Sequence, residues 1–182
     1  MSPQEQKTTA PVNAPNPARV ATAFVIKLVV LGMVVGLAEA YLHMIGWGEW
    51  LQHGVASVSW RLASLFTPEL RLNGVDIIGG EQLLAVTLEC TALFPKGLFC
   101  VAVIAYPAGW RMRIVGLVMG IVGVAILNVV RIAGLALISL WIPSMFHFAH
   151  LVLMQWFLIS CVAPLWLAWA VWTTKRPRVT HV

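Results

Sequence analysis

The sequence predicts an all-α integral membrane protein: about four transmembrane helices, with an extracytoplasmic amphipathic helix and a short β element. Three observations predict it. Hydrophobic residues fill 60% of the 182 positions and charged residues only 10%, which marks a chain that lives in lipid rather than a water-soluble domain. The apolar residues gather into four long runs. The basic residues stand at the ends of those runs, so the net charge of +5 reads as membrane topology and not as a nucleic-acid surface. No nucleic-acid partner is expected.

Residues 1–21 are rich in Pro, Ala, Asn and Thr without an apolar period and read as a disordered cytoplasmic tail. Residues 22–173 form one membrane-embedded domain. Its first span runs from about Thr22 to Trp47. Ala38-Glu39-Ala40 resembles a signal-peptidase site, but apolar character continues through Tyr41–Trp47, so the run reads as a retained helix. Residues 48–89 are the extracytoplasmic segment. Trp50, Leu51, Val55, Val58 and Leu62 recur at helical spacing and predict an amphipathic helix on the interface. Asn73-Gly74 and Gly79-Gly80 are turn signals between strand-like pieces, and "LAVTLEC" leads a short β element into Cys90.

The second span is expected from about Thr91 to Ala108, with Pro95 in its first turn, where proline is tolerated. The third runs from about Ile114 to Trp141, stopped by Pro143, and the fourth from about Leu151 to Thr173. Residues 174–182, with "KRPR", make a basic cytoplasmic tail. The charges agree with this order. Lys7, Arg19, Arg111, Arg113, Lys175, Arg176 and Arg178 fall inside, while segment 48–89 sets Glu49, Glu69, Asp76, Glu81 and Glu89 against Arg61 and Arg71.

That topology brings three reactive side chains to one depth. Cys90 stands where the chain enters the second span from outside, and His150 where it enters the fourth. Arg131 lies about 17 residues along an outward-going helix, ~26 Å into a core ~30 Å thick, near the outer surface. A charge in mid-span costs at least ~2.5–3.5 kcal/mol by insertion scales and marks a functional position. Glu39 is a candidate structural counter-ion and Lys96 a candidate for snorkelling. Asn128 precedes Arg131 by three residues, shares its face, and is placed to orient the guanidinium. Gly116 and Gly120 on the same helix form a small-xxx-small pattern that admits a neighbouring helix.

Together these residue types suit acyl transfer. A cysteine attacks as the thiolate, which a nearby cation favours. A histidine takes the thiol proton and returns it to a leaving amine. An arginine stabilises an oxyanion without losing its own proton. Cys90, Cys100 and Cys161 are widely spaced with no C-x-x-C, which argues against a disulfide framework and a zinc site. The sequence has no P-loop, H-E-x-x-H or G-x-S-x-G motif. No metal and no cofactor are expected.

A cysteine just before one span, "LNVVRI" in the next and "FHFAHLVLMQW" opening the last resemble the exosortase/archaeosortase family. "YPAGWRMRIVGLVMG" ahead of "LNVVRI" is most similar to its short exosortase H group, and the resemblance covers about Gly74 to Trp169. The resemblance implies a membrane cysteine protease/transpeptidase with a Cys-Arg-His triad, carried here by Cys90, Arg131 and His150. His147 is the rival histidine, and the "AHLVLMQW" string favours His150. It further implies an enzyme at the outer face of a bacterial inner membrane. The substrates it implies are secreted proteins ending in a short motif, a transmembrane helix and a basic tail. After cleavage they are passed to an acceptor, for which membrane lipid is one source. The family usually follows its cysteine with a small residue and glycine, whereas this chain reads Cys90-Thr91-Ala92-Leu93. A turn needing positive φ is uncomfortable at Ala92.

The competing expectation is a non-catalytic assembly or transport subunit that uses Arg131 as a docking charge. It predicts that Cys90 is dispensable.

Overall fold

The computed structural model describes residues 17–80 and 82–175. The expected tails therefore lie outside the described residues, except at their inner edges. There, α1 (Pro17–Met44) begins five residues before the expected first span. It opens on proline, whose fixed φ suits a first helical turn. Among the described residues three helices are long and apolar enough to cross a membrane: Ala18–Met44 within α1, Trp110–Trp141, and Trp156–Thr174. The fold is mostly helical with one small sheet.

A glycine-containing turn after α1 leads into α2 (Glu49–Ser64), the expected amphipathic helix. Val55 and Leu62 of the expected face pack against the core, but Trp50 and Val58 do not. Trp50 and Val58 are 65% and 50% exposed, while Ala56, Ser59 and Ala63 are fully buried. Small residues at that spacing let α2 lie close against a neighbouring helix, which centres the packed face on them and leaves Trp50 and Val58 outside it.

Strands β1 (Arg71–Asn73), β2 (Asp76–Gly79) and β3 (Gln82–Ala85) form an antiparallel meander in the order β1-β2-β3. Asn73 pairs with Asp76 and Gly79 with Gln82, so each hairpin closes over two residues. Gly74 and Gly80 open those turns at φ +63° and +59°, which glycine alone adopts freely. The expected β element is thus a full sheet. A Cβ at Gly79 would stand 2.7 Å from the Ser139 hydroxyl, a measure of how closely the sheet sits on the helix beneath it.

A 3-10 turn, Leu88–Thr91, carries the chain into α3 (Leu93–Ala105). At 13 residues α3 is about 20 Å long, shorter than the expected second span. Helix α4 (Trp110–Trp141) is the longest element at 32 residues, about 48 Å. Its C-terminal half packs against α2 and the sheet. Pro143 stops it as expected and opens a 3-10 turn, Pro143–Met145. The short α5 (Phe146–Phe148), a π-helical turn (Ala149–Leu153) and α6 (Met154–Thr174, with Pro164 inside) complete the chain.

Two cores result. The outer core joins Ala56 and Ala63 of α2, Ile77 and Leu84 of the sheet, and Ile132, Leu135 and Ala136 of α4. The inner core joins Phe99 and Val103 of α3, Val124 of α4, and Leu158 and Trp169 of α6. The small-xxx-small expectation holds, since a Cβ at Gly116 would meet Trp169 and one at Gly120 would meet Phe99. By contrast α1 keeps Met33, Leu37 and most of its apolar surface exposed. At roughly 25 cal/mol per Å² that surface would be costly in water and is at home in lipid.

Candidate active site

Cys90 belongs to the outer core and Ala92, two residues on, to the inner one. The cysteine turn is therefore the joint between them. Thr87 precedes it in extended conformation, and Ala92 closes it at φ +54° and ψ +36°. Ala92 is the one non-glycine residue at positive φ among those described. The conformation that the sequence made uncomfortable is the one the chain adopts. An alanine side chain is small but still carries the Cβ penalty, so the surrounding packing enforces the conformation.

Cys90, Arg131 and His150 line one cavity of about 1240 Å³. Its walls come from α1, the cysteine turn, α3 and α6, and on α1 its lining runs from Leu28 to His43, about 22 Å of helix rise. The reactive residues stand at one end with Glu39, His43 and Glu89, while Leu28, Trp166 and Leu167 line the apolar remainder. The cysteine is buried with 9% of its surface accessible, and all three cysteines are free thiols.

Arg131 is half-buried on α4, and its Nε has no hydrogen-bond partner. His150 sits on the π-helical turn, its ring tilted against Phe146 at 5.9 Å, with Nδ1 buried and unpartnered. π-Turns recur at functional sites because they re-aim a side chain relative to the flanking helix. Burial, then the positive charge of Arg131, then that of His147, push the His150 imidazole below its ordinary value of 6.5. At neutral pH it is a free base with an unpaired nitrogen. His147 is exposed and does not line the cavity. Its effect on the site is confined to its charge.

Asn128 has a different part from the expected one. Instead of holding the guanidinium, it is 1% exposed and donates from Nδ2 to the Cys90 carbonyl at 2.7 Å, across 38 residues of chain. Its Oδ1 is left without a donor. Glu39, the expected counter-ion, lies by the backbone N–H of Phe94, and the charges that reach it are those of Glu89 and His43 rather than Arg131. Lys96, expected to snorkel, donates from Nζ to the Thr91 carbonyl at 2.8 Å.

Thr87 escaped the sequence reading. Its hydroxyl donates to Cys90 Sγ at 3.6 Å, within hydrogen-bonding reach of the sulfur. The signal was the T-x-x-C spacing at the mouth of a turn, where a threonine normally bonds backbone N–H groups. Here it makes no such cap.

The chain matches no protein-family model, no curated protein and no solved structure. The class is set by the fold alone: a mostly helical protein with, among the described residues, three helices long and apolar enough to cross a membrane, a small sheet-and-helix layer, and a polar-ended cavity between its helices.

Proposed function

We propose that this protein is a membrane-embedded cysteine protease/transpeptidase working at the outer face of a bacterial inner membrane. The observation that carries the reading is the meeting of Cys90, Arg131 and His150 at one end of a single cavity. Its support from sequence is the resemblance to the exosortase/archaeosortase family. In this reading α3 and the extended residues after it make a fourth crossing, both chain ends are cytoplasmic, and the polar end of the cavity faces outward.

The substrate is a secreted protein ending in a short motif, an apolar helix and a basic tail. Its apolar helix occupies the long part of the cavity, and its scissile peptide lies at the polar end. His150 Nδ1 or Nε2 accepts the Cys90 proton, and Sγ attacks the scissile carbonyl. Arg131 donates to the oxyanion that forms. His150, now protonated, gives its proton to the leaving amine, so the peptide bond breaks and an acyl thioester remains on Cys90. An amine acceptor, membrane lipid among its sources, resolves the thioester by transfer. Water resolves it by hydrolysis.

The test is co-expression with a secreted protein of the same genome that ends in an apolar helix and a basic tail. The mass of the mature substrate is the readout. Processing is expected with the wild type and absent with Cys90→Ala and with Arg131→Ala. Processing that persists in Cys90→Ala overturns the reading. It would favour a non-catalytic subunit in which the unpartnered Arg131 Nε is a docking donor.

A further inference from the structure

In an unbroken helix the carbonyl of Cys90 would accept the N–H of Phe94, four residues on. In this protein the two groups are parted. The carbonyl is taken by Asn128 from α4, and the carboxylate of Glu39 from α1 lies by the amide. Ala92 lies between them in the left-handed region. The next carbonyl, that of Thr91, has no helical donor in any case, because its partner four residues on is Pro95. Lys96 Nζ fills that place.

Three polar side chains set in apolar spans, Glu39, Lys96 and Asn128, thus converge on one break in the chain. Each is expensive in an apolar surrounding, and Asn128 leaves its own Oδ1 unsatisfied there. Leucines at 39 and 128 would suit the surroundings better and would let Cys90 and Phe94 bond each other. Their absence is the point. The break keeps Cys90 on a 3-10 turn facing the cavity instead of on the first turn of α3.

We propose that Asn128 and Glu39 are positioning residues that hold the helix open between Cys90 and Phe94 and so direct the Cys90 thiol into the cavity. The inference rests on the reading of Cys90 as the nucleophile, but its test needs no substrate. It uses the full chain in lipid nanodiscs, with Cys100→Ala and Cys161→Ala so that Cys90 is the one thiol. The rate of alkylation by N-ethylmaleimide at fixed pH is followed by intact mass, beside thermal unfolding.

Asn128→Leu is expected to slow Cys90 alkylation about tenfold, the weight of one well-placed hydrogen bond, without loss of thermal stability. Ala92→Gly added to it is expected to restore the rate, because glycine holds the positive φ unaided. Glu39→Leu should slow alkylation in the same way, whereas Glu39→Gln, which keeps an acceptor for the Phe94 amide and removes the charge, should react like wild type. Should Asn128→Leu not fold, the Glu39 pair decides alone. Wild-type alkylation in Asn128→Leu or in Glu39→Leu overturns the proposal. So does a slow Asn128→Leu that Ala92→Gly fails to rescue, which would make Asn128 a matter of packing. Loss of substrate processing in Cys90→Ala is a separate result, and either inference can fail without the other.

Discussion

Ala92→Gly tests the strained cysteine turn through stability alone. Ala92 holds φ +54° with 1% of its surface exposed. A non-glycine residue in the left-handed region costs about 1–2 kcal/mol, which glycine would recover. Two effects oppose the gain. Deleting a buried methyl forfeits about 0.8 kcal/mol, and the added freedom of glycine in the unfolded chain forfeits about 0.4–1 kcal/mol. The expected net change is within about 0.8 kcal/mol of zero, given how closely these effects offset. Ala133→Gly is the control. It lies in α4 with 5% exposure and loses about 1 kcal/mol of helix propensity together with the methyl, so about 1.8 kcal/mol in all. Reversible unfolding in mixed micelles, titrated with SDS, compares the two. A gap of about 1.5–2 kcal/mol between the variants is expected. Ala92→Gly as damaging as Ala133→Gly would refute the reasoning, since no strain would have been released.

The remaining predictions draw on the same cavity and cores. His150 titrates below 6.5, so the unfolded chain binds a proton there before the folded one does, and stability falls as pH drops from 6.5 toward the folded value. His150→Gln should flatten that slope in unfolding curves taken across the window. In imidazole NMR, Arg131→Gln should move the His150 midpoint upward, because one of the charges holding it down is gone. A midpoint that stays fixed would place Arg131 too far away to matter. Gly120→Ala should cost about 1–3 kcal/mol by forcing its methyl into Phe99. The double variant with Phe99→Leu should recover part of that, and a Gly120→Ala protein of wild-type stability would mean that α3 and α4 are not in close contact. Ile77→Ala, at a fully buried position of the sheet, should cost about 2–5 kcal/mol and loosen the outer layer that carries Cys90.

Much of the architecture was legible because it follows from local rules. The long apolar runs gave α1, α4 and α6, Pro143 gave the end of α4, and the glycines at 74 and 80 gave the two hairpin turns. The packed face of α2 was legible only in part, through Val55 and Leu62. Hydrophobic periodicity weighs side chains by size, whereas Ala56, Ser59 and Ala63 are buried because they are small enough for α4 to come close. Nor was the shortness of α3, because Thr91–Ala108 reads as one apolar run and nothing in it announces a left-handed Ala92. Within the site, Cys90, Arg131 and His150 could be brought together from depth along their spans. The placement of Glu39, Lys96 and Asn128 could not, because Lys96 and Asn128 bond backbone of the cysteine turn and Glu39 lies by the first turn of α3, and backbone groups left open by a tertiary break carry no sequence signal.

The most direct measurement is the intact mass of the enzyme after incubation in membranes with the same tail-bearing substrate. The account predicts a mass increase equal to the acyl fragment, located on Cys90, released by hydroxylamine and absent from Cys90→Ala. Substrate cleavage with no adduct on Cys90, unaffected by Cys90→Ala, would contradict it.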